Sequence, residues 1–259
     1  MLIKPSAYKA KKSLKVGIKK NHTAIDFMSV DEIRGIIDAY TTLVIGIESK
    51  AKKDENRAYG GIIRAGKGEL VESITKTLIE IAWNRLDGDP KRLSMEGKQI
   101  HIPIRREYLK RLDTGIRKHI EENITDYVYH YKPDVLVSID GKPVLEIECK
   151  AYTENAMLKR ILVDAALVKS QYPKTSFALL QLESQLGGDY SELKPTCFGS
   201  SSTHTLLSYF DIDLQIITLL EGERKVDQPI HKKAFFKPLT QKSLEIAILK
   251  FEIILKKWS

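Results

Sequence analysis

A short apolar segment of this 259-residue chain is flanked by three side chains that could do chemistry: Asp134, Glu148 and Lys150. The segment consists of two apolar runs joined by Asp-Gly at 140–141, which predicts a β-hairpin with a tight turn. A hairpin brings the head of its first strand beside the tail of its second, so the two carboxylates and the amine are expected to converge. Two carboxylates suit a hard divalent cation, and a cation with an adjacent amine is suited to metal-assisted phosphodiester hydrolysis.

The second strand of the hairpin is expected to have two different faces. Glu146 shares a face with Glu148 and Lys150, because side chains two residues apart on a strand point the same way. Glu146 could bind a second cation or a basic neighbour, and the second interpretation is favoured. The intervening residues point into a core, where Cys149 would be a small buried apolar group.

Asp134 followed by Glu148-x-Lys150 resembles the catalytic core of the PD-(D/E)XK nuclease superfamily, which includes most type II restriction endonucleases. Pro133 precedes the first acid, both acids fall at predicted strand ends, and a helix–strand pair follows the hairpin. The resemblance covers about residues 66–183. The alternative is a surface hairpin on which Glu-x-Lys is simply solvated.

The chemistry of the hairpin suggests a role for each of its residues. Asp134, Glu148 and the backbone carbonyl of Cys149 would hold Mg²⁺, which prefers oxygen ligands and keeps several waters. Lys150, close to a cation, is expected to have a lowered pKa. It would orient or deprotonate the attacking water, or stabilise the charge that develops on the phosphate. In-line attack that leaves a 5′-phosphate is implied by the resemblance.

A further acid is expected from the helix that begins at Gly68. The superfamily often places a glutamate there in the pattern Gly-x-x-x-Glu, and Gly68-Glu-Leu-Val-Glu72 fits it. Glu72 would reach the cation directly or through water, or pair with Lys150. Glu69 is a competing candidate, and a helix N-terminus also attracts acids through its dipole with no further function.

Hydrophobic periodicity predicts an order of elements around this hairpin. Helices are expected from Ser29, from Gly68 and over about residues 105–123, 154–171 and 239–257, with a short one after 205. Strands are expected at 99–104, 126–132, 176–182 and 214–220, and loops at 51–68 and 221–238. The helix at 154–171 is a crossover, so the hairpin's second strand and strand 176–182 should be parallel.

The fold class that follows is α/β, a restriction-endonuclease-like mixed β-sheet flanked by helices. A single domain with N- and C-terminal elaborations is expected. Its catalytic core would span about 66–183 and be extended by 184–220. Residues 1–60 and 221–259 would serve DNA binding or dimerisation.

The net charge of +8 and the pI of about 9.2 favour a polyanionic partner. Residues 1–20 carry seven lysines and no acid, as in an arm that meets phosphates or in a solvated tail. The candidate DNA-binding residues are Arg64, Lys67, Arg105, Arg106, Lys110, Arg111, Ser200, Ser201, Ser202 and Thr203. The alternatives are a solvated helix face for the basic segment and an ordinary helix cap for the serines.

Several other classes of protein are disfavoured. Gly61-x-x-x-x-Gly66-Lys67-Gly68 lacks the hydroxyl residue and the preceding strand of a phosphate-binding loop, so no nucleotide cofactor is expected. The six histidines and two cysteines lack the spacing of a zinc site or a disulfide framework. The sequence shows no signal-peptide pattern and no apolar run long enough for a bilayer, so the cytoplasm is expected and a membrane is not.

The function predicted from the sequence is a Mg²⁺-dependent type II restriction endonuclease. It would cut double-stranded DNA at a short specific sequence, and a homodimer would supply one active site for each strand. A structure-specific or repair nuclease of the same superfamily, such as a junction resolvase, is one alternative. A DNA-binding module without catalysis is another.

Overall fold

The fold was analysed in a computed structural model that describes residues 25–51, 58–95, 99–194 and 196–259. The predicted N-terminal arm at 1–20 lies outside the described residues. In the described part, the helices are α1 (Ile25–Ala51), α2 (Ala58–Arg85), α3 (Arg106–Leu109), α4 (Thr114–Glu122), α5 (Asn155–Gln171), α6 (Ser201–Tyr209) and α7 (Gln241–Leu255). The strands are β1 (Leu93–Ser94), β2 (Ile100–Pro103), β3 (Val128–Tyr131), β4 (Val135–Ile139), β5 (Lys142–Glu154), β6 (Ser176–Gln185) and β7 (Leu214–Thr218).

Five strands form a mixed sheet in the order β1-β4-β5-β6-β7. β4 and β5 are the predicted hairpin, whose antiparallel register begins with Val135 opposite Ile147. β5 is parallel to β6, and β6 is parallel to β7, as the crossover through α5 predicts. β2 and β3 pair with each other in a separate two-stranded ribbon.

Helices cover both faces of the five-stranded sheet. α2 and α7 pack on the face that carries Leu145, Ile147 and Cys149, and α1 packs against these two helices. This side holds the main hydrophobic core. α5 covers the other face, where it contacts α6 and β2. The predicted mixed β-sheet flanked by helices is therefore confirmed, and α2 and α5 hold the hairpin between them.

The prediction of a loop at 51–68 was wrong from residue 58 onward, because α2 begins ten residues before Gly68. Glycine disfavours a helix by about 1 kcal/mol relative to alanine, but packing of a long helix outweighs such local preferences. Residues 61–68 are consequently helical and do not form a phosphate-binding loop.

Other boundaries also differ from the predicted ones, among them the start of α6, which lies at Ser201 rather than after residue 205. α1 begins at Ile25 rather than at Ser29. The segment 105–123 forms two helices instead of one, because Asp113 caps the start of α4 by accepting a hydrogen bond from the Gly115 N–H. Within the described residues, no helix is both long and apolar enough to cross a membrane.

Candidate active site

The hairpin turn places the three predicted side chains at the end of the hairpin opposite the turn. Asp140 and Gly141 form the two-residue turn with φ angles of 51° and 74°. Positive φ at both positions is what a tight hairpin turn of this hand requires, and it suits glycine. Asp134 immediately precedes β4, and the tail of β5 runs past it.

Lys150 lies between the two predicted acids. Its Nζ is 2.6 Å from Oδ2 of Asp134 and 2.5 Å from Oε2 of Glu148. All three side chains are partly or largely shielded from water. The structure therefore brings the predicted acids and the lysine together in one ion-paired group.

The two neighbouring carboxylates dominate the electrostatics of Lys150. Burial lowers the pKa of Lys150, but the neighbouring Glu148 and Asp134 carboxylates outweigh burial, so its pKa is raised. The expected lowering refers to the amine beside a bound cation, and it stays a prediction.

The backbone at Cys149 also faces Asp134. Its N–H donates a hydrogen bond of 2.8 Å to Oδ2 of Asp134. β4 begins at Val135, opposite Ile147, so Cys149 lies beyond the end of β4. Because the N–H and C=O groups of one strand residue point to the same edge, the Cys149 carbonyl lies on the edge that Asp134 occupies.

The Cys149 side chain belongs to the core. It is buried, and its Sγ is 3.2 Å from the hydroxyl of Thr75 on α2. Burial raises the pKa of the thiol, so the group stays uncharged. This matches the prediction of a small buried apolar group.

The structure distinguishes between the two candidate glutamates of α2. Glu72 is partly buried, and its pKa is raised by burial and then by the Asp134 carboxylate. Lys76, and after it Lys150 and Lys132, lower the pKa of Glu72. Glu69 is exposed on the same helix. Glu72 is therefore the glutamate of α2 that belongs to the electrostatic environment of the site.

Tyr131 is a residue of the candidate site that was not predicted from the sequence. Its hydroxyl lies 2.7 Å from Oε1 of Glu146 and 2.7 Å from Oε1 of Glu148. The group that contacts Glu146 is thus a tyrosine rather than the favoured basic neighbour. In the sequence, the one cue was the position of Tyr131 three residues before Asp134.

A single phenolic hydrogen cannot satisfy two ionised carboxylates at once. Glu146 is 1% exposed, and burial raises its pKa to about 8, with the Glu148 charge contributing in the same direction. Tyr131 is the donor in both contacts, so a Glu146 carboxyl that keeps its proton competes less for the phenolic hydrogen than Glu148 does.

Asp164 on α5 is a second missed residue. It is buried, and its pKa is raised by burial and then by the Glu148 carboxylate. Arg160 lies 3.6 Å from its Oδ2 and acts in the opposite direction. Asp164 therefore adds to the negative charge near Glu148.

The candidate site offers oxygen donors, which are the ligands that a hard divalent cation prefers. In the part of the chain that the structure describes, no group of three His, Cys, Asp or Glu side chains is arranged to hold a metal. Asp134 and Glu148 each place an oxygen within 2.6 Å of the same Lys150 nitrogen, and the Cys149 carbonyl lies on that edge. Two carboxylates with one carbonyl and water fit Mg²⁺, which seldom uses an all-protein cage.

The candidate DNA-binding residues lie in different environments. Arg105, Arg106, Lys110 and Arg111 are exposed on and beside α3. Lys67 is buried, which lowers its pKa, and Glu183 acts to raise it. The side chain of Arg64 lies outside the described part of the chain.

The serine segment forms the start of α6. Ser200 accepts a hydrogen bond from the Thr203 N–H and so caps the helix. The Thr203 hydroxyl is buried and bonds Asn155 and the Leu186 carbonyl. Ser201 and Ser202 are exposed. The local structure accounts for Ser200 and Thr203 as a helix cap, and the DNA contacts stay predictions.

Comparison with known proteins identified a similar restriction enzyme. The type II restriction enzyme DdeI of Desulfomicrobium norvegicum is 51% identical over 223 residues, which are 84% of this chain and 93% of that enzyme. A chain of the BbvCI A2B2 tetramer is a weak structural match with 12% identity, 90% coverage of both chains and a TM-score of 0.34. No protein-family model matches the sequence.

Proposed function

Because this chain belongs to the family of type II restriction enzymes and is a site-specific deoxyribonuclease, we propose that Asp134, Glu148 and Lys150 form its catalytic centre. The proposed reaction is hydrolysis of phosphodiester bonds in double-stranded DNA at a short specific sequence. Mg²⁺ is the proposed cofactor, and the site is proposed to be of the PD-(D/E)XK type.

The observation that carries this proposal is the position of Lys150 between the two acids. Its Nζ contacts both carboxylates at hydrogen-bond distance, at the open end of the hairpin. A surface hairpin with a solvated Glu-x-Lys would leave the lysine in water, whereas here its neighbours are two shielded acids. An amine beside two acids that could bind a cation suits metal-assisted phosphodiester hydrolysis.

Each residue of the site would have its own role in hydrolysis. Asp134, Glu148 and the Cys149 carbonyl would hold Mg²⁺, with Glu72 as a further direct or water-mediated ligand or as a partner of Lys150. When bound, Mg²⁺ supplies positive charge to the scissile phosphate and acidifies water. Lys150 would orient or deprotonate the attacking water, or donate hydrogen bonds as negative charge develops on the phosphate oxygens.

The proposed products follow from the direction of attack. Water would add to phosphorus in line with the 3′ oxygen, and the bond between phosphorus and that oxygen would break. The products would be a 3′-hydroxyl and a 5′-phosphate.

DNA contacts are proposed for the basic segment around α3. Arg105, Arg106, Lys110 and Arg111 are exposed, and the chain carries a net charge of +8. Guanidinium and ammonium groups on one exposed segment suit phosphate oxygens. A homodimer is proposed because cutting both strands requires two active sites, and a symmetric pair supplies them. The cytoplasm is the proposed compartment because double-stranded DNA is the proposed substrate.

The first experiment incubates the purified protein with phage and plasmid DNA in Mg²⁺ and in EDTA. Discrete fragments that form only with Mg²⁺ are the expected result, and sequencing of their ends would identify the recognition site. Ligation of the fragments without prior phosphorylation would demonstrate 5′-phosphates. Cleavage that persists in EDTA would contradict the proposed metal dependence.

Asp134→Asn tests the catalytic centre directly. The variant should lose at least 100-fold in cleavage rate while DNA binding in EDTA is retained, because the amide removes a charge at the proposed cation site. Asp140→Asn is the matched control, since Asp140 lies in the same hairpin at the opposite end and is exposed. Equal cleavage rates for Asp134→Asn and wild type would overturn the assignment of the site.

A further inference from the structure

Tyr131 is the residue that contacts the proposed Mg²⁺ ligand Glu148 from a different sheet. It ends strand β3 of the two-stranded ribbon, whereas Glu148 lies in β5 of the main sheet. The two residues are 17 positions apart in sequence, and their side chains meet through the 2.7 Å contact between the hydroxyl and Oε1. This contact therefore depends on the tertiary fold and not on the geometry of the hairpin.

The two oxygens of Glu148 contact different groups. Tyr131 lies against Oε1, and Lys150 lies against Oε2. Lys150 is itself shared with Asp134, so Oε2 is the oxygen that faces the other proposed ligand. A hydroxyl that holds Oε1 of Glu148 in place keeps Oε2 of Glu148 directed toward Asp134.

The side chain of Tyr131 has less conformational freedom than a lysine side chain such as that of Lys150. Its ring is 6% exposed and packs with Ile100, Leu136 and Phe177. Its hydroxyl also contacts Glu146, which is almost fully buried. A phenol has two side-chain torsions and this one is packed on its faces, so its hydroxyl has a defined position.

We propose that Tyr131 is a positioning residue that holds the Glu148 carboxylate in the orientation in which it binds the divalent cation. Groups that hydrogen-bond a metal-ligating carboxylate orient it and tune its affinity, and their removal costs about 10- to 100-fold in metal affinity or activity. The proposal rests on the proposed function, because it takes Glu148 as a ligand.

The test measures binding of Mn²⁺, as a spectroscopic substitute for Mg²⁺, to the full-length protein with its DNA. Free Mn²⁺ is determined by electron paramagnetic resonance. Tyr131→Phe should weaken Mn²⁺ binding about 10-fold and raise the Mg²⁺ concentration for half-maximal cleavage by a similar factor. Cleavage by this variant should recover toward the wild-type rate as Mg²⁺ is increased, and DNA binding in EDTA should be unchanged.

Tyr129→Phe is the matched control. Tyr129 lies two residues earlier in β3, and its side chain is 52% exposed. Removal of its hydroxyl should leave the Mn²⁺ affinity and the Mg²⁺ concentration for half-maximal cleavage at their wild-type values. Equal Mn²⁺ affinity in wild type and Tyr131→Phe would overturn the proposal, and so would a loss of cleavage that added Mg²⁺ does not restore.

Glu146 provides a second test that does not depend on Tyr131→Phe being folded. Glu146→Ala removes the second contact of the tyrosine hydroxyl and should weaken Mn²⁺ binding, whereas Glu146→Gln keeps a hydrogen-bonding group there and should bind nearly as wild type does. Wild-type affinity in Glu146→Ala would contradict the proposal.

Asp134→Asn, included in the same series, separates the two hypotheses. If Asp134→Asn cuts DNA normally, the proposed catalytic centre is wrong. If Asp134→Asn is inactive and Tyr131→Phe is indistinguishable from wild type, the catalytic centre stands and only the role of Tyr131 is wrong.

Discussion

Glu146 is less exposed to water than either Glu148 or Asp164, at 1% against 8% and 7%. A buried carboxylate is costly unless it is paired, and the group that Glu146 contacts is a hydroxyl rather than a cation. Burial accordingly raises its pKa to about 8. The folded chain therefore favours the neutral form of the Glu146 carboxyl, and the anion destabilises it.

This raised pKa predicts a specific dependence of stability on pH. Below about pH 4.5, Glu146 is protonated in both the folded and the unfolded chain. Between that pH and about 8 the unfolded chain releases the proton and the folded one retains it, so stability falls as pH rises. A pKa unit corresponds to about 1.4 kcal/mol, which sets an upper bound of roughly 5 kcal/mol on the loss.

Glu146→Gln should remove this loss, since an amide does not titrate. The free energy of unfolding of the variant, measured by urea denaturation in EDTA, should rise relative to wild type between pH 5 and 8. For Glu121→Gln, at an exposed position of α4, the curve of unfolding free energy against pH should stay parallel to that of wild type. Parallel curves for Glu146→Gln and wild type would show that Glu146 is ionised throughout this range.

At the scale of elements, the β4–β5 hairpin could be predicted because its signals are local. Alternating faces, a turn that needs positive φ and acids at both strand ends are all visible within 18 residues. Tyr131 could not be assigned in the same way. Its contact with Glu148 depends on how the β2–β3 ribbon packs against the main sheet, and no local pattern encodes that packing.

The start of α2 shows the opposite case, in which a local signal was misleading. Glycines at 60, 61, 66 and 68 favour a loop by intrinsic propensity. The helix nevertheless extends through them, and a Cβ built on Gly66 or Gly68 would meet no atom within 4 Å. Close packing therefore does not require glycine at these two positions.

Gly66→Ala should stabilise the protein by about 0.5–1 kcal/mol, because alanine favours the helix and the added methyl has room. Gly141→Ala should destabilise it by about 1 kcal/mol, since the turn holds this residue at a φ of 74°. Thermal unfolding of the two variants beside wild type measures both effects. A loss of stability in Gly66→Ala would argue that residue 66 is not helical in solution.

At the scale of the whole molecule, the excess of positive charge can act in two ways. It can attract DNA as a diffuse field, or specific side chains can contact phosphates. The exposed basic segment around α3 supports the second view, because several cationic side chains lie close together in sequence. The two explanations predict different effects on DNA binding when the same amount of positive charge is removed from different parts of the surface.

The salt dependence of DNA binding distinguishes them. Each phosphate contact contributes about 0.9 to the slope of log K against log salt concentration. Arg105→Gln combined with Arg106→Gln should reduce that slope by about 2 in EDTA, where binding can be measured without cleavage. Lys242→Gln combined with Lys256→Gln removes the same charge from exposed positions on and beside α7 and should leave the slope unchanged. Equal reductions in both double variants would mean that net charge alone attracts DNA and that the α3 segment makes no phosphate contact.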